Sequence, residues 1–502
     1  MTFRCMAPRQ ATPAEAVVSV DVSPAASVSG HRAARDIVMQ VVVRIANLAL
    51  GVVATALLAR TLGSAGYGQW SAAIAVIALV GYFASFGMET VAIREAAREP
   101  ETEHEWLGAL MLLRLYMLVP VVAVSALAIV LLHHSHEMLV AGLILVVTMP
   151  FNGVGALQII FQLRVNNLVP MLVLTLRSVL WTAAVLIIHL SGGHMITLAI
   201  ALTSTNAVGS VVQAVAALRA APRRPRPSRA RLGMLLRHGL PIGISGVMVI
   251  AYARIDQLIV FTISGSRPAG LYSSVYNVLE QAHFVPISML TTLAPILAAA
   301  WPTDPQRFFR TARLSAEVMA VASFGALAFA SVAATPLIRL FYGHDFLAAA
   351  AALPILGGAF VFICFGYLND NLLVVLGLQR RRLVISLVAL VINVVGNLIL
   401  VPIDGFMGAA WMTFATEAIV VGASLWLILR ELEMPLPPPG RVGRTLIAAI
   451  VLAGCLDGAR LLGAPLAVLT ALACLLYPAL LFGLRALGPA DVRILLGRHA
   501  LG

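Results

Sequence analysis

Apolar runs of twenty residues or more follow one another along most of this chain, and arginines collect between every second pair of them. That alternation constrains the fold more than any other feature. A helix needs about 20 mostly apolar residues to cross a bilayer. Fourteen stretches qualify, at about 37–60, 68–89, 106–132, 138–161, 167–190, 194–217, 239–263, 271–299, 311–338, 347–374, 381–402, 405–429, 442–461 and 464–485. The N-terminus, the even-numbered loops and the C-terminal tail hold 26 arginines, while the odd-numbered loops hold 4: Arg60, Arg267, Arg339 and Arg460. By the positive-inside rule this split puts both termini in the cytoplasm and requires an even number of spans. The expected fold class is all-α: a polytopic membrane protein with about fourteen transmembrane helices.

Composition enters at this point. Charged residues make up 11% of the 502, and the mean hydropathy is +0.95. A soluble chain carries roughly 25% charged residues, so lipid is the solvent for most of this one. The net charge of +12 is spread between apolar runs and not over one soluble face, so no nucleic-acid partner is expected. Cys5, Cys364, Cys455 and Cys474 are scattered without a CxxC or a zinc-type histidine spacing. Neither a disulfide framework nor a metal site is expected, and nothing points to a cofactor.

The longest polar connection, Arg219–His238, contains Pro-Arg-Arg-Pro-Arg-Pro-Ser-Arg. Such a density of Pro and Arg reads as a linker whose charge sets topology and meets anionic headgroups. The expected organisation is a disordered cytoplasmic tail (1–36), an N-lobe of helices 1–6 (37–218) and a basic cytoplasmic linker (219–238). A C-lobe of helices 7–12 (239–430), a short linker (431–441) and helices 13–14 with a cytoplasmic tail (442–502) follow. An internal repeat supports the division. Gly63-Ser-Ala-Gly-Tyr-Gly68-Gln-Trp70-Ser71 aligns without gaps on Gly265-Ser-Arg-Pro-Ala-Gly270-Leu-Tyr272-Ser273, at an offset of 202 residues. Both copies precede helices of the same direction, so the two six-helix lobes should be related by a pseudo-twofold along the membrane normal, with sites near the midplane between them.

Ionisable residues inside a span are expensive and mark function by default. Arg44, Arg114 and Arg177 lie in helices 1, 3 and 5, about 10–15 Å from their cytoplasmic ends at 1.5 Å per residue. Arg254 lies deeper, about 22 Å into helix 7. Planar guanidinium forks suit phosphate and carboxylate, so these four are the candidate anion-binding residues. The bland alternative for each is snorkelling, or pairing inside its own bundle. Glu280 and Glu417, near mid-span, are candidates for cation coupling. Arg254 and Asp256 stand at i and i+2 and point about 200° apart, so they cannot form a simple local pair. Asp256 is read as a structural buried acid facing its own bundle, with Tyr252 one turn back as a candidate donor. Glu317 and Asp370, near the cytoplasmic ends, are read as solvated or capping. There is no Walker A sequence, no Asp-x-Asp and no HExxH, so an enzyme is not expected.

Several stretches resemble the polysaccharide-export flippases of the multidrug/oligosaccharidyl-lipid/polysaccharide (MOP) exporter superfamily. They are Leu58 to Gly68 with Phe86-Gly87-Met88 and Arg94-Glu95-Ala96; Arg254-Ile-Asp256 with Gly270-Leu-Tyr272-Ser273 and Ala294-Pro295; Leu337 to Gly343 through Leu376-Gly377; and Asn393-Val-Val-Gly-Asn397 to Pro402, closed by Gly405-Phe-Met-Gly408. The resemblance runs from about residue 37 to 430. It implies a MATE-like fold of two six-helix lobes around a central cavity plus two C-terminal helices. It also implies transfer of undecaprenyl-pyrophosphate-linked oligosaccharide across the bacterial inner membrane, alongside a polysaccharide polymerase or export complex. A cation-coupled multidrug antiporter and a peptidoglycan-precursor flippase are the alternatives within the superfamily. The antiporter predicts an acid-lined cavity, whereas the first-half spans carry arginines. A major-facilitator sugar transporter should show Asp-Arg-x-Gly-Arg after helix 2, where this chain has Arg94-Glu-Ala-Ala-Arg-Glu-Pro. A multispanning glycosyltransferase or polymerase would need catalytic carboxylates or a large external loop, and every external loop here is short.

Overall fold

A computed structural model describes residues 30–84, 86–153, 157–164, 168–221, 224–433 and 440–486. The chain divides into two units, Met1–Ala46 and Asn47–Gly502. Residues 30–46 of the first unit are helical and belong to α1 (Gly30–Gly81). The second unit continues with α2 (Met88–Arg98), α3 (Glu103–Leu132), α4 (His136–Val146), α5 (Thr148–Gly153), α6 (Ile159–Leu163), α7 (Leu168–Leu190) and α8 (Met195–Ala220). After these come α9 (Arg229–Ser264), α10 (Ser266–Ala282), α11 (Phe284–Ala300), α12 (Pro305–Phe341), α13 (Leu353–Val375), α14 (Gln379–Glu431), α15 (Gly440–Leu461) and α16 (Leu466–Gly483). Among the described residues there is no strand.

Eleven helical runs among the described residues are long and apolar enough to cross a membrane, against the fourteen expected. The difference has two physical causes. Val43–Arg98 and Gln379–Glu431 have 56 and 53 residues, each about 80 Å if straight, where the hydrocarbon is about 30 Å thick. Each breaks at a glycine in a backbone conformation that a side chain disfavours: Gly63 (φ 65°, ψ 176°) and Gly405 (φ 56°, ψ −135°). The chain doubles back at Gly405, since Met412 lies against Gly396 and Gly408 against the Leu400 backbone. The span expected at 138–161 is divided among α4, α5 and α6. Pro150 has no N–H for the carbonyl of Val146, where α4 ends. The outward faces of the long helices carry large apolar groups such as Leu131, Ile187, Ile403 and Leu475, all exposed, as a lipid-facing surface requires.

The internal repeat is also a three-dimensional one. Gly63 and its counterpart Gly265 both have positive φ with extended ψ (65°, 176° and 94°, −177°). Five residues on, α1 and α10 touch backbone to backbone. A methyl group on Gly68 would strike the Ser266 carbonyl and the Gly270 amide, and one on Gly270 would strike the Ser64 carbonyl and the Gly68 amide. Since 64 and 68 correspond to 266 and 270, the contact is reciprocal, as at a twofold axis. Polar groups ring it. Ser64 N donates to Asp345 Oδ2 (2.6 Å), Arg267 pairs with Asp345 (3.4 Å), and Gln69 Nε2 donates to Ser266 Oγ (3.4 Å). Arg60 donates to the Phe341 carbonyl (3.2 Å) and to that of Leu340 at the C-terminal end of α12, where the helix dipole favours a cation.

Two packing features are local. α15 and α16 lie against α12: the Tyr477 hydroxyl donates to the Val321 carbonyl (2.7 Å), and Gly325 leaves room for the Tyr477 ring. Residues 229–238, within the stretch expected to be a linker, form the first turns of α9 with Ser228 as N-cap (Oγ accepting from Arg231 N, 3.3 Å). Arg231 lies over the Trp106 ring (4.8 Å) and pairs with Glu99 and Glu105 (3.1 Å each). Arg226 seats its backbone on Gly108.

The crossing is testable. Gly68→Val should lower the melting temperature of the detergent-solubilised protein, reflecting about 1–3 kcal/mol of overpacking. Gly454→Val, placed where nothing lies within 4 Å, should change it far less.

Candidate functional site

α9 carries three polar side chains at every second position: Tyr252 and Asp256, one turn apart, share a face and both reach α14, while Arg254 between them points about 200° away and reaches α10. Tyr252 donates its hydroxyl to Glu417 Oε1 of α14 (2.9 Å). Arg254 forms a two-pronged pair with Glu280 of α10, Nη2 to Oε1 at 2.9 Å and Nη1 to Oε2 at 3.3 Å. Asp256, 4% exposed, is enclosed. Its Oδ1 accepts from Asn397 Nδ2 (2.9 Å), and its Oδ2 accepts from Thr413 Oγ1 (3.1 Å) and the Tyr272 hydroxyl (3.2 Å). The donor suggested for Asp256 in the sequence, Tyr252, is therefore engaged elsewhere, and Tyr272 of the repeat motif takes that role.

Arg254 and Glu280 keep 24% and 26% of their side-chain surface exposed. Among the described residues, neither side chain has another hydrogen-bond or ion-pair partner. Their surroundings include α1: Asn277, one turn before Glu280, donates to the Tyr67 hydroxyl (2.7 Å), and Gln281 lies against Gly51. A guanidinium in this position offers two parallel donors to any oxyanion that reaches it.

The other candidate arginines sit on separate helix pairs. Arg114 of α3 forms an ion pair with Glu89 of α2, its own side chain 10% exposed. With Tyr82 it supplies the polar lining of an otherwise apolar cavity of about 670 Å³ among α1, α3, α5 and α8. Arg177 of α7 lays its aliphatic stem over Gly209 of α8, which has no side chain to block it. Arg44 is exposed on α1, in the unit that ends at Ala46. Glu317, 8% exposed, is held between Arg313 (3.0 Å) and Arg441 (3.2 Å) rather than solvated. Asp370 binds Arg382 through both oxygens (2.6 and 2.5 Å).

No group of three His, Cys, Asp or Glu that could hold a metal occurs among the described residues. Oxygens of other kinds do converge. Around Asp256 stand Thr413 Oγ1 and the amide side chains of Asn393 and Asn397; Asn397 is fully buried, and its Oδ1 has no hydrogen-bond partner among the described residues. A buried acceptor without a donor costs about 1–3 kcal/mol, and carboxylate, hydroxyl and amide oxygens are the donor types that a small hard cation takes, although here Asn397 Nδ2 donates to both Asp256 Oδ1 and the Asn393 side-chain oxygen. Of the two acids expected to couple a cation, Glu280 is engaged by Arg254 and Glu417 by Tyr252. Asn393 and Asn397 were detectable as an i, i+4 amide pair in an apolar span, but no local signal ties them to Asp256, 141 residues before Asn397.

The fold and this arrangement define a class, a polytopic membrane carrier with charge sequestered inside its helix bundle. The chain belongs to the polysaccharide biosynthesis protein family, whose model matches residues 33–301. It is similar in structure to a lipid II flippase, MurJ, in an inward closed conformation (TM-score 0.71, 12% identity, 88% of this chain and 98% of that one). It is also similar to a multidrug resistance MATE family transporter of the MOP superfamily in an inward-facing conformation (TM-score 0.64, 17% identity, 78% and 96%). A third likeness is to a MOP superfamily transporter from Pyrococcus furiosus described as having a binding pocket of reverse polarity (TM-score 0.52, 17% identity, 78% and 96%). At these identities the shared property is the fold, that of MOP-superfamily transporters. No characterised protein sequence matches the chain significantly.

If the Asp256 oxygens hold a cation, replacing choline chloride by sodium chloride should raise the melting temperature of the wild type. Binding at one hundred times Kd is worth about 2.7 kcal/mol. Asp256→Asn, which keeps the shape and removes the charge, should abolish the rise. An equal rise in both proteins would place the effect elsewhere.

Proposed function

We propose that the chain is a flippase that moves polyprenyl-pyrophosphate-linked oligosaccharide from the cytoplasmic to the periplasmic leaflet of the bacterial inner membrane by alternating access. The product would feed O-antigen, capsule or exopolysaccharide assembly. The observation that carries this reading is Arg254: a guanidinium within a span, still reachable, in a member of a polysaccharide biosynthesis family. A pyrophosphate cannot cross about 30 Å of hydrocarbon without compensating charge, and Arg254 can supply it in the bidentate form that phosphate oxygens accept. Arg114 and Arg177 are proposed to extend the cationic lining in the N-lobe (37–218), opposite the C-lobe (239–430), and Arg44 is proposed by itself as a further anion-binding residue. The polyprenyl tail stays in lipid throughout. The likeness to a lipid II flippase supports a lipid-borne cargo, and the arginines support an anionic cargo over a cationic drug. Both termini are assigned to the cytoplasm on the distribution of arginine between loops.

The test uses vesicles reconstituted with the full chain and fluorescent polyprenyl-pyrophosphate oligosaccharide, with leaflet sidedness read by an impermeant sugar-modifying enzyme. The wild type should equilibrate the leaflets at least about tenfold faster than empty vesicles, and Arg254→Gln should lose most of that gain. Equal rates with and without the protein would overturn the reading.

A further inference from the structure

We propose that Glu280 is a built-in competitor for the substrate's anionic group: its carboxylate occupies the Arg254 fork at rest, and an incoming oxyanion must displace it to bind. This rests on the flippase reading only in taking the oxyanion to be the cargo's. The pair has the geometry expected of a substitute ligand. Both prongs of the guanidinium meet both oxygens of the carboxylate, at 2.9 and 3.3 Å, as they would meet two oxygens of a phosphate or a sugar carboxylate.

The contrast with Asp256 is informative. That acid is enclosed and receives donors from α10 and α14, as a group fixed in place should. Among the described residues Glu280 has only Arg254, and a quarter of its side chain is exposed. An anion reaching the fork exchanges one negative partner for another, so Arg254 is never left unpaired, and the cost falls on releasing a single carboxylate. An uncompensated carboxylate in a span is expensive, so the released Glu280 should shift its helix towards water or another donor.

That helix is α10, which also makes the contact with α1. From its start to its end it carries Gly270 against Gly68, Asn277 on the Tyr67 hydroxyl, and Glu280 on Arg254. In the proposed orientation the glycine crossing lies on the periplasmic side. Displacing Glu280 therefore acts on the helix that closes that side, and cargo binding loosens the closure.

The experiment measures binding to the purified full chain in nanodiscs with two probes, inorganic pyrophosphate for the lipid headgroup and glucuronate for an acidic sugar. Competition predicts that Glu280→Gln binds the responding probe about fivefold more tightly, the scale of a partly exposed ion pair, and that Arg254→Gln loses binding. If Glu280 only positions Arg254, Glu280→Gln binds more weakly; weaker or unchanged affinity overturns the proposal, as does a wild type that binds neither probe. A response to pyrophosphate alone assigns the site to the lipid, and a response to glucuronate alone assigns it to the sugar. The charge-balanced double variant Arg254→Gln/Glu280→Gln should fold and bind neither, which covers the case of an unstable single variant.

The coupling to α10 has its own readout. With the native cysteines replaced, Gln69→Cys and Ser266→Cys should cross-link through a short bifunctional maleimide, since these side chains meet at 3.4 Å. The responding probe should reduce the yield in the Glu280 background and leave it unchanged in Glu280→Gln. A yield insensitive to the probe in both refutes the coupling. Transport by the wild type with weaker binding in Glu280→Gln would sink the competitor alone, whereas tighter binding without any transport would sink the flippase reading and keep the anion site.

Discussion

The close approach of α1 and α10 at Gly68 and Gly270 is the contact on which the other features depend. Two helices whose backbones meet this tightly cannot slide or rotate without losing the fit, so the residues beyond the crossing are held in register. Tyr67, beside Gly68, is packed edge-on to Phe346 (5.8 Å) and reached by Asn277. Trp70 stacks on Trp181 of α7 at 6.3 Å. At its far end α10 delivers Glu280 to Arg254. Lipid tails are as apolar as leucine, so hydrophobic burial contributes little to helix association in a bilayer, and close packing of small residues must do more.

Charge inside the bundle is managed by a second device, the pitch of the helix. Arg254 and Asp256 are two residues apart, yet the first meets α10 at a reachable edge and the second is sealed among α10 and α14. One helix thus presents a reachable guanidinium and an enclosed carboxylate without letting them neutralise each other. The enclosed set is rigid because each donor comes from a helix fixed by other contacts. The partly exposed pair is held less firmly, since among the described residues nothing else binds either partner.

The fold persists at 12–17% identity among the transporters it resembles, and the bilayer explains why. Lipid-facing positions need only be apolar and large enough, so they drift freely. The constraints that remain are span length, small residues at close crossings, and partners for each polar group left inside. In this chain those constraints fall on few residues, chiefly Gly63, Gly68, Gly265, Gly270, Asp256, Asn397 and Thr413.

Much of this was legible in the order of residues alone, for reasons that are local. Hydrocarbon thickness sets span length, so the apolar runs foretold the helices. The repeat at an offset of 202 foretold two turns of the same backbone shape, because glycine at 63 and 265 serves the same positive φ. Helical pitch alone separated Arg254 from Asp256. What the sequence could not supply was the identity of partners distant along the chain. That Asp256 is held by Asn397 and Thr413, that Arg254 already has Glu280, and that Gly68 lies on Gly270 depend on which helices adjoin and at what rotation. The same holds for Arg231 over Trp106, in a stretch whose composition read as a tether. Those are decided by packing summed over the whole bundle, which no window of sequence contains.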